Sequence, residues 1–377
     1  MKKIAIIGAG ISGLYFANLL QKNLKYNYQI FEKKKNFELV NGYGIQLSVN
    51  SVQLLNEIGF KNIDEQEVSF PKKVIFYDAK SSKKICDIEI SKFNYEHNKY
   101  TTLKRSTLLK FLLKNIPRDN IFHNCELKNI EYKDKLSLTF SNKYKDQFDY
   151  LIISDGVFSK SKSMIFQKKI IPKYFNSIAL RGNIKNIESN DISIYLGSNF
   201  HFVIYPVNQN KEYNFISVIK KRLKEEETKD KKYFENDDFL QSTLNEISSK
   251  TSFNFKNKIK NLKSFPIFIS KKFDQPKINN IFFVGDALYA IPPSFAQGAS
   301  QSIESSKEVY EEIENNTNTY YKKRYEKIKS VNLRSIFNHF AFHLSNRLIV
   351  FIRNFLLKFL TKNKRFLDNY LGKIYKN

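Results

Sequence analysis

Apolar and polar positions in this chain follow two periods. Lys3-Ile-Ala-Ile-Ile7 is a short unbroken apolar run, the pattern of a strand buried on both faces. It leads into Gly8-Ala-Gly10-Ile-Ser12-Gly13, after which residues 14–20 repeat apolar side chains at helical spacing, and Tyr28-Gln-Ile-Phe-Glu32 supplies a second strand ending in an acid. Residues 72–78 and 84–90 alternate as strands about a Ser81-Ser82 turn, 105–115 reads as a helix, and 127–140 predicts a hairpin turning at Asp134-Lys135. Tyr150-Leu-Ile-Ile153 is another buried-strand run, closing on Ser154-Asp155-Gly156. Four strand patterns then follow one another, at 177–183, 191–196, 201–206 and 213–219, which predicts an antiparallel sheet rather than more β-α-β units. Residues 220–238 are densely charged and predict a solvated helix or surface loop. Asn280-Ile-Phe-Phe-Val284 returns to a buried strand, a helix is expected from about Gly298 to Glu314, and the remainder reads as helical without a sharp break.

Composition narrows the class. At 377 residues the chain exceeds the ~250–300 at which a single core stops growing, so one large or two interlocked domains are expected. The 42% hydrophobic content excludes a disordered chain. Two cysteines, Cys86 and Cys125, make neither a disulfide framework nor a four-thiolate zinc site, and with no secretory pattern ahead of the first strand the expected location is the cytoplasm. The formal charge of +26 suggests nucleic acid, yet only nine of the 63 basic residues are Arg, the bidentate reader of phosphate and guanine, so no nucleic-acid partner is expected. Residues 321–377 are a separate matter, with 14 basic and 2 acidic residues.

Glycine is scarce, 12 in all, against about 7% in an average protein. Eight of the twelve fall in four short segments: Gly8, Gly10 and Gly13; Gly42 and Gly44; Gly156; Gly285 and Gly298. In the first segment Gly8 permits a tight turn, Gly10 lets a pyrophosphate approach the backbone, and Gly13 lets helix and strand pack closely, while the helix N-terminus attracts anions. Glu32, at the end of the second strand, is placed to accept hydrogen bonds from an adenosine ribose. An adenine dinucleotide follows, with FAD and NAD(P) still both open. The segment from Gly285-Asp286 through Pro292-Pro293 to Gly298-Ala299 turns the choice toward FAD, since an Asp at a strand end can hold the hydroxyls of a ribityl chain. A helix starting near Gly298 can aim N–H groups at a ring edge that becomes anionic on reduction.

In order along residues 3–345, these motifs resemble the FAD-dependent aromatic-ring monooxygenases, in particular their salicylate hydroxylase-like branch. The resemblance rests on the opening fingerprint with Glu32, Gly42-Tyr-Gly44-Ile-Gln-Leu, Leu103-Lys-Arg105-Ser-Thr-Leu108 and Asp155-Gly156-Val-Phe-Ser159. It continues through Ala179-Leu-Arg181-Gly182, Tyr205-Pro206-Val207 and the Gly285–Ala299 segment. It implies an α/β fold: a Rossmann-like FAD-binding domain (1–170, with a small β insertion at about 70–100, returning at 271–320), an inserted, mostly antiparallel substrate domain (171–270), and basic amphipathic C-terminal helices (321–377). It also implies cofactor contacts by Gly8, Gly10, Ser12, Gly13, Glu32, Gly44, Arg105, Asp155, Gly156, Asp286, Pro293, Gly298 and Ala299, and catalytic roles for Arg181 and Tyr205. The implied reaction uses NAD(P)H and O2 to hydroxylate or epoxidise an aromatic or prenylated small molecule through a flavin hydroperoxide. A flavin dehydrogenase or reductase on the same fold, and a non-catalytic FAD-fold protein acting at membranes, are the alternatives.

The chain departs from the family pattern at Tyr289, where His is usual, at Lys162, where Arg is usual, and at Ile153-Ser154, where a small Gly-Ala pair is usual. An apolar pocket is required to keep water from the reaction; Phe175, Tyr195, Phe200, Phe202 and Tyr205 are candidates to line it, each serving equally well as core. Arg181 is positioned to hold a carboxylate or phenolate, with a surface ion pair as the other use for it. His339 and His343 share a helix face without a third ligand, and His97, His123 and His201 read as isolated, so no metal is expected. Finally, 336–375 interleaves Phe340, Leu344, Leu348, Phe351, Phe355 and Phe359 with Arg347, Arg353, Lys358, Lys362 and Lys364, and Arg353 interrupts the longest apolar stretch. That pattern fits peripheral membrane contact, plain packing or a dimer contact, in a monomer or homodimer.

Overall fold

The computed structural model describes the whole chain except residues 38, 40–42, 256–257 and 376–377. Gly42 of the predicted cofactor loop therefore lies outside the described residues.

Lys2–Ile7 sits at the centre of a five-stranded parallel sheet, in the order Ile281–Phe283, Tyr150–Ile153, Lys2–Ile7, Tyr26–Phe31, Ile121–Phe122. Ile4, Ala5 and Ile6 are wholly buried, as an unbroken apolar run between two covered faces requires. Helices Ile11–Gln21 and Gly298–Asn315 pack together as part of that cover. Elsewhere a three-stranded antiparallel sheet (Leu127–Tyr132, Leu136–Phe140, Lys145–Phe148) brings Phe140 into a stack on Phe31, with ring centroids 3.9 Å apart. The strand Ile281–Phe283 joins beside Tyr150–Ile153, so the nucleotide-binding layer is completed by chain that leaves it and returns.

The second layer is a seven-stranded sheet, ordered Ile259–Ile269, Lys173–Ile184, Tyr213–Lys220, Phe200–Pro206, Ile192–Gly197, Lys73–Asp78, Lys84–Glu89. Its pairs are antiparallel except Ile192–Gly197 with Lys73–Asp78. The early hairpin, expected as an insertion in the first segment, is hydrogen-bonded to this sheet's edge. The charged stretch folds into the short helices Glu225–Lys229 and Lys231–Glu235, ahead of Asp237–Ser248.

Alternation sorts the strand residues. Phe200, Phe202 and Ile204 point to one side and pack with Phe215, Phe234 and Phe255; His201, Val203 and Tyr205 point to the other, where a cavity lies. This corrects the expected pocket lining. Phe200 and Phe202 belong to the opposite core, Tyr195 stacks on Phe202, and Phe175 lies against the His339 ring; of the five aromatic candidates Tyr205 alone lines the cavity. Ile192, Ile194, Ile216 and Val218 supply the apolar wall instead.

A small antiparallel sheet (Gly44–Leu47, Thr101–Lys104, Val68–Ser69) ties the layers together, with Gly44 N–H donating to Asn214 Oδ1 (2.7 Å) and Thr102 Oγ1 to the Pro206 carbonyl (2.6 Å). The C-terminal region is not one continuous helical run. Gly298–Asn315 ends at Asn316, whose φ of +50° suits a left-handed C-cap, and Tyr320–Phe342 gives way at His343. Arg347–Leu360 restarts under an Asn346 cap, which accepts from the N–H groups of Leu348 and Ile349. Among the described residues no helix is long and apolar enough to cross a membrane.

Candidate active site

The opening turn lines a cavity of about 280 Å3 together with Glu32, Arg105, Asp155 and Gly156. Gly8 has φ +99°, and a Cβ there would lie 2.7 Å from the Ser154 carbonyl oxygen; at Gly13 it would lie 2.2 Å from that of Gly8. Both glycines are demanded by the fold itself. Gly10 differs: its φ of −83° is open to any residue, and a Cβ would meet nothing within 4 Å. Only a ligand makes a side chain costly there. Glu32 Oε2 accepts from Ala9 N–H at 3.0 Å, which holds the acid against the turn. Asp155 Oδ2 accepts from Ser161 Oγ (2.8 Å), Oδ1 is buried without a hydrogen-bond partner, and burial raises this carboxyl above the usual range.

The two distant glycine segments meet. A Cβ on Gly285 (φ +58°) would lie 2.8 Å from Ser12 Oγ and 2.9 Å from Ser302 Oγ, and Ser306 Oγ donates to the Ser12 carbonyl at 3.0 Å. Small residues on both sides of this seam let helix Ile11–Gln21 approach Gly298–Asn315. Ser12 is thus a buried seam residue, whereas its neighbour Gly10 faces the cavity. Arg105, at the start of helix Arg105–Leu113, lines the first cavity, and its charge acts on Asp286.

Asp286 opens into a second cavity of about 410 Å3, shared with Gly44, Arg181, Tyr205, Pro293 and Gly298. Deep placement pushes its carboxyl up to about 6, with Arg105 pulling the other way, although the side chain is exposed to the cavity. Ala299 lines the same wall, and a Cβ on Gly298 at the helix start would meet nothing within 4 Å. Gly44 is a packing glycine: a Cβ would lie 2.6 Å from Asn214 Cβ and 2.8 Å from the Tyr205 ring. Pro292 and Ser294 are held by the long C-terminal helix, Ser335 Oγ donating to the Pro292 carbonyl (2.5 Å) and Asn338 Nδ2 to that of Ser294 (3.2 Å).

Opposite that wall stands Arg181, its guanidinium 5.7 Å from the Tyr43 ring centroid and near Tyr205. Among the described residues no carboxylate pairs with it, so the surface ion pair is excluded in favour of a cation facing an apolar cavity. Burial lowers its pKa and raises that of Tyr205. A third cavity, about 270 Å3, meets the site at Asp286 and is lined by Lys169, Lys271 and Lys272.

The departures from the family pattern have structural uses. Lys162 is buried, donates to the Leu288 carbonyl at 3.0 Å and pairs with Asp274 at 3.5 Å, joining the Asp155 segment to the Asp286 segment. Tyr289 is turned toward the long helix, where Asn332 Nδ2 donates to its hydroxyl at 3.4 Å. His201 is not isolated. Its Nδ1 lies 2.7 Å from His343 Nε2, and the His339 ring lies 4.1 Å from that of His343. Burial pushes His201 down to about 3 and His339 to about 4, so this cluster, which reaches the cavity wall through His201, is neutral near pH 7. The sequence separation of 142 residues hides the pair from any local pattern.

The residues present fit FAD. Gly10 and Gly298 leave room that no protein atom claims, Glu32 and Asp286 present carboxylates at two strand ends, and the two segments adjoin through Ser12 and Gly285. Comparison with known proteins agrees. The FAD binding domain family matches residues 1–315. Salicylate hydroxylase of Pseudomonas putida is 23% identical over 248 residues, 60% of this chain and 56% of that protein. 6-Hydroxynicotinate 3-monooxygenase of Bordetella bronchiseptica is 25% identical over 182 residues, 48% of this chain and 47% of that protein. The chain thus matches about half the length of these relatives. Among solved structures, Klebsiella pneumoniae HpxO complexed with FAD and uric acid superposes with a TM-score of 0.83 at 16% identity, covering 99% of this chain and 96% of that one. A salicylate hydroxylase substrate complex gives 0.76 at 16% identity, covering 100% and 97%. With the fold, the adjoining glycine segments and the family match in agreement, the chain belongs to the FAD binding domain family, that of the FAD-dependent aromatic-ring hydroxylases.

Proposed function

We propose that this protein is an FAD-dependent monooxygenase that uses NAD(P)H and O2 to hydroxylate an aromatic small molecule bearing an anionic or phenolic group; prenylated compounds fall within the same class of apolar, electron-rich substrates. The observation that carries this reading is Arg181, a cation without a carboxylate partner among the described residues, facing an apolar cavity whose opposite wall is the Asp286–Ala299 segment.

Glu32 would hold the adenosine ribose of FAD, Gly10 would admit the pyrophosphate, and Asp286 would accept from the ribityl hydroxyls. Gly298 and Ala299 would offer N–H groups at a helix N-terminus to the ring edge. When bound, FAD supplies the two-electron redox chemistry and the activation of oxygen. The chain's own residues do the rest. Arg181 anchors the substrate's anionic end and favours its ionised, electron-rich form, with Tyr205 beside it. Ile192, Ile194, Val203, Ile216 and Val218 exclude water from the reacting ring. The lysine-lined cavity that meets Asp286 supports NAD(P)H as donor, since Lys169, Lys271 and Lys272 suit its phosphates.

The balance is one aromatic C–H, one O2, one NAD(P)H and one proton converted to one phenol, NAD(P)+ and water. Turnover under 18O2 is expected to place one labelled atom in the product. An unlabelled organic product two hydrogens richer than the substrate would instead assign reductase chemistry, and an unlabelled product two hydrogens poorer, formed without NAD(P)H and with O2 reduced to labelled hydrogen peroxide, would assign dehydrogenase chemistry.

A further inference from the structure

The C-terminal helices leave a large apolar surface uncovered. On Tyr320–Phe342, Leu333, Ile336, Phe337 and Phe340 recur at helical spacing and are exposed; on Arg347–Leu360, Leu348, Ile349, Phe351, Ile352, Phe355, Leu356 and Phe359 are exposed. Phe351, at 69%, and Leu348, at 68%, are almost as open as in an unfolded chain. Large apolar side chains each carry about 150–250 Å2, so these eleven together present on the order of 1,000 Å2, beyond the ~300–600 Å2 of the largest patch on an ordinary monomer.

Arg353, which seemed to break the apolar stretch, is buried and turned inward, its Nη1 donating to the Ala341 carbonyl at 3.2 Å. The outer face is therefore apolar without interruption. Around it lie exposed Arg347, Lys358, Lys362, Lys364 and Arg365, none paired with a carboxylate among the described residues, and no acidic residue occurs between Glu326 and Asp368. The substrate cavity continues onto this face: Phe337 lines the cavity and is 62% exposed, and Leu357 and Leu360 line it from the following helix.

We infer that this face docks on an anionic lipid bilayer, with the apolar side chains in the acyl boundary, the cationic rim at the headgroups and the cavity mouth against the lipid. The charge argues against a second copy as occupant, because a symmetric pairing would set one predominantly cationic rim against another, whereas anionic headgroups neutralise it.

The test uses the FAD-loaded full chain and vesicles of phosphatidylcholine with or without phosphatidylglycerol. Co-sedimentation is expected with the mixed vesicles, weakening as salt is raised, and little is expected with phosphatidylcholine alone. The triple variant Phe351→Ser, Phe355→Ser, Phe359→Ser should cut partitioning by about tenfold or more with unchanged FAD content and far-ultraviolet dichroism. Lys358→Glu with Lys362→Glu should remove the preference for phosphatidylglycerol. The chain has no Trp, so Phe337→Trp places a single reporter at the mouth; its emission should shift to the blue on docking and be quenched by spin-labelled lipid. No binding to mixed vesicles at low salt overturns the inference. So does a homodimer that the triple variant dissociates without any vesicle binding, and so does a reporter at residue 337 that lipid leaves unchanged.

Discussion

Gly10 and Gly13 stand in one motif but serve different ends. A Cβ at Gly13 collides with the Gly8 carbonyl oxygen, so Gly13→Ala should disrupt the turn itself. At Gly10 the space is open, so Gly10→Val should leave the unfolding free energy of the FAD-free protein within about 1 kcal/mol while weakening FAD by about 100-fold or more. Chemical unfolding paired with an FAD fluorescence titration checks both. Asp286 makes a pH-dependent counterpart. Its carboxyl, raised to about 6, accepts ribityl hydroxyls best when ionised, so FAD retention should weaken as pH falls through about 6, and Asp286→Asn should bind more weakly with a flat profile. The stability linkage has the opposite sign. A folded value above the unfolded one means that this group's ionisation costs the FAD-free fold as pH rises from about 4 to 6. For Arg181, Leu at this position should leave the FAD-free fold as stable or more so, because it removes a half-buried charge without an ionic partner among the described residues. It should also raise the KM for an anionic aromatic substrate by at least about tenfold in NAD(P)H oxidation assays.

Helix Gly298–Asn315 carries the site at its first turn and depends for its placement on the helix after it. Arg324, wholly buried on Tyr320–Phe342, pairs with Glu304 at 3.2 Å and Glu308 at 3.0 Å and also donates to Gln301. Removing it leaves buried Glu304 with Lys327, at 3.7 Å, as its remaining cation and takes the close cation from Glu308, so Arg324→Ala should cost about 3 kcal/mol in denaturant unfolding. Replacing Arg324 and Glu304 together by Met and Leu should recover much of that loss. The two helices were legible in the sequence; their ionic fastening was not, since Arg324 lies in a stretch that reads only as basic and amphipathic. Strand faces were equally obscure. Phe200-His-Phe-Val-Ile-Tyr205 is apolar on both sides, so period two says which residues share a face but not which face meets the cavity.

At the scale of the whole molecule, FAD would lie where the opening turn, the Asp155 segment and the Asp286 segment adjoin, and would bind only the assembled fold. FAD at 100 times its dissociation constant should then stabilise the protein by about 2.7 kcal/mol. Calorimetry should show the transition shifted upward in the wild type and shifted far less in Gly10→Val at the same FAD concentration, where an affinity weakened about 100-fold leaves about 0.4 kcal/mol. Lys162 contributes to the same assembly through Leu288 and Asp274, a contact that a reading of the family pattern alone presents only as a departure.

By itself the sequence determined whatever depends on neighbours along the chain: the glycine turn, the buried strands on either side of it, the acid at the second strand end, the run of strands that builds the second sheet, and membership of an FAD-binding family. These features are legible because steric demand at a turn and period along a strand are local. The fold alone decided what depends on pairing between distant segments. Ser12 against Gly285, Arg181 across from Gly298, His201 against His343, and the hairpin Lys73–Glu89 at the edge of the second sheet are of this kind. So is the outward face of the last helices, because an amphipathic pattern states that one side is apolar and only packing states whether anything covers it.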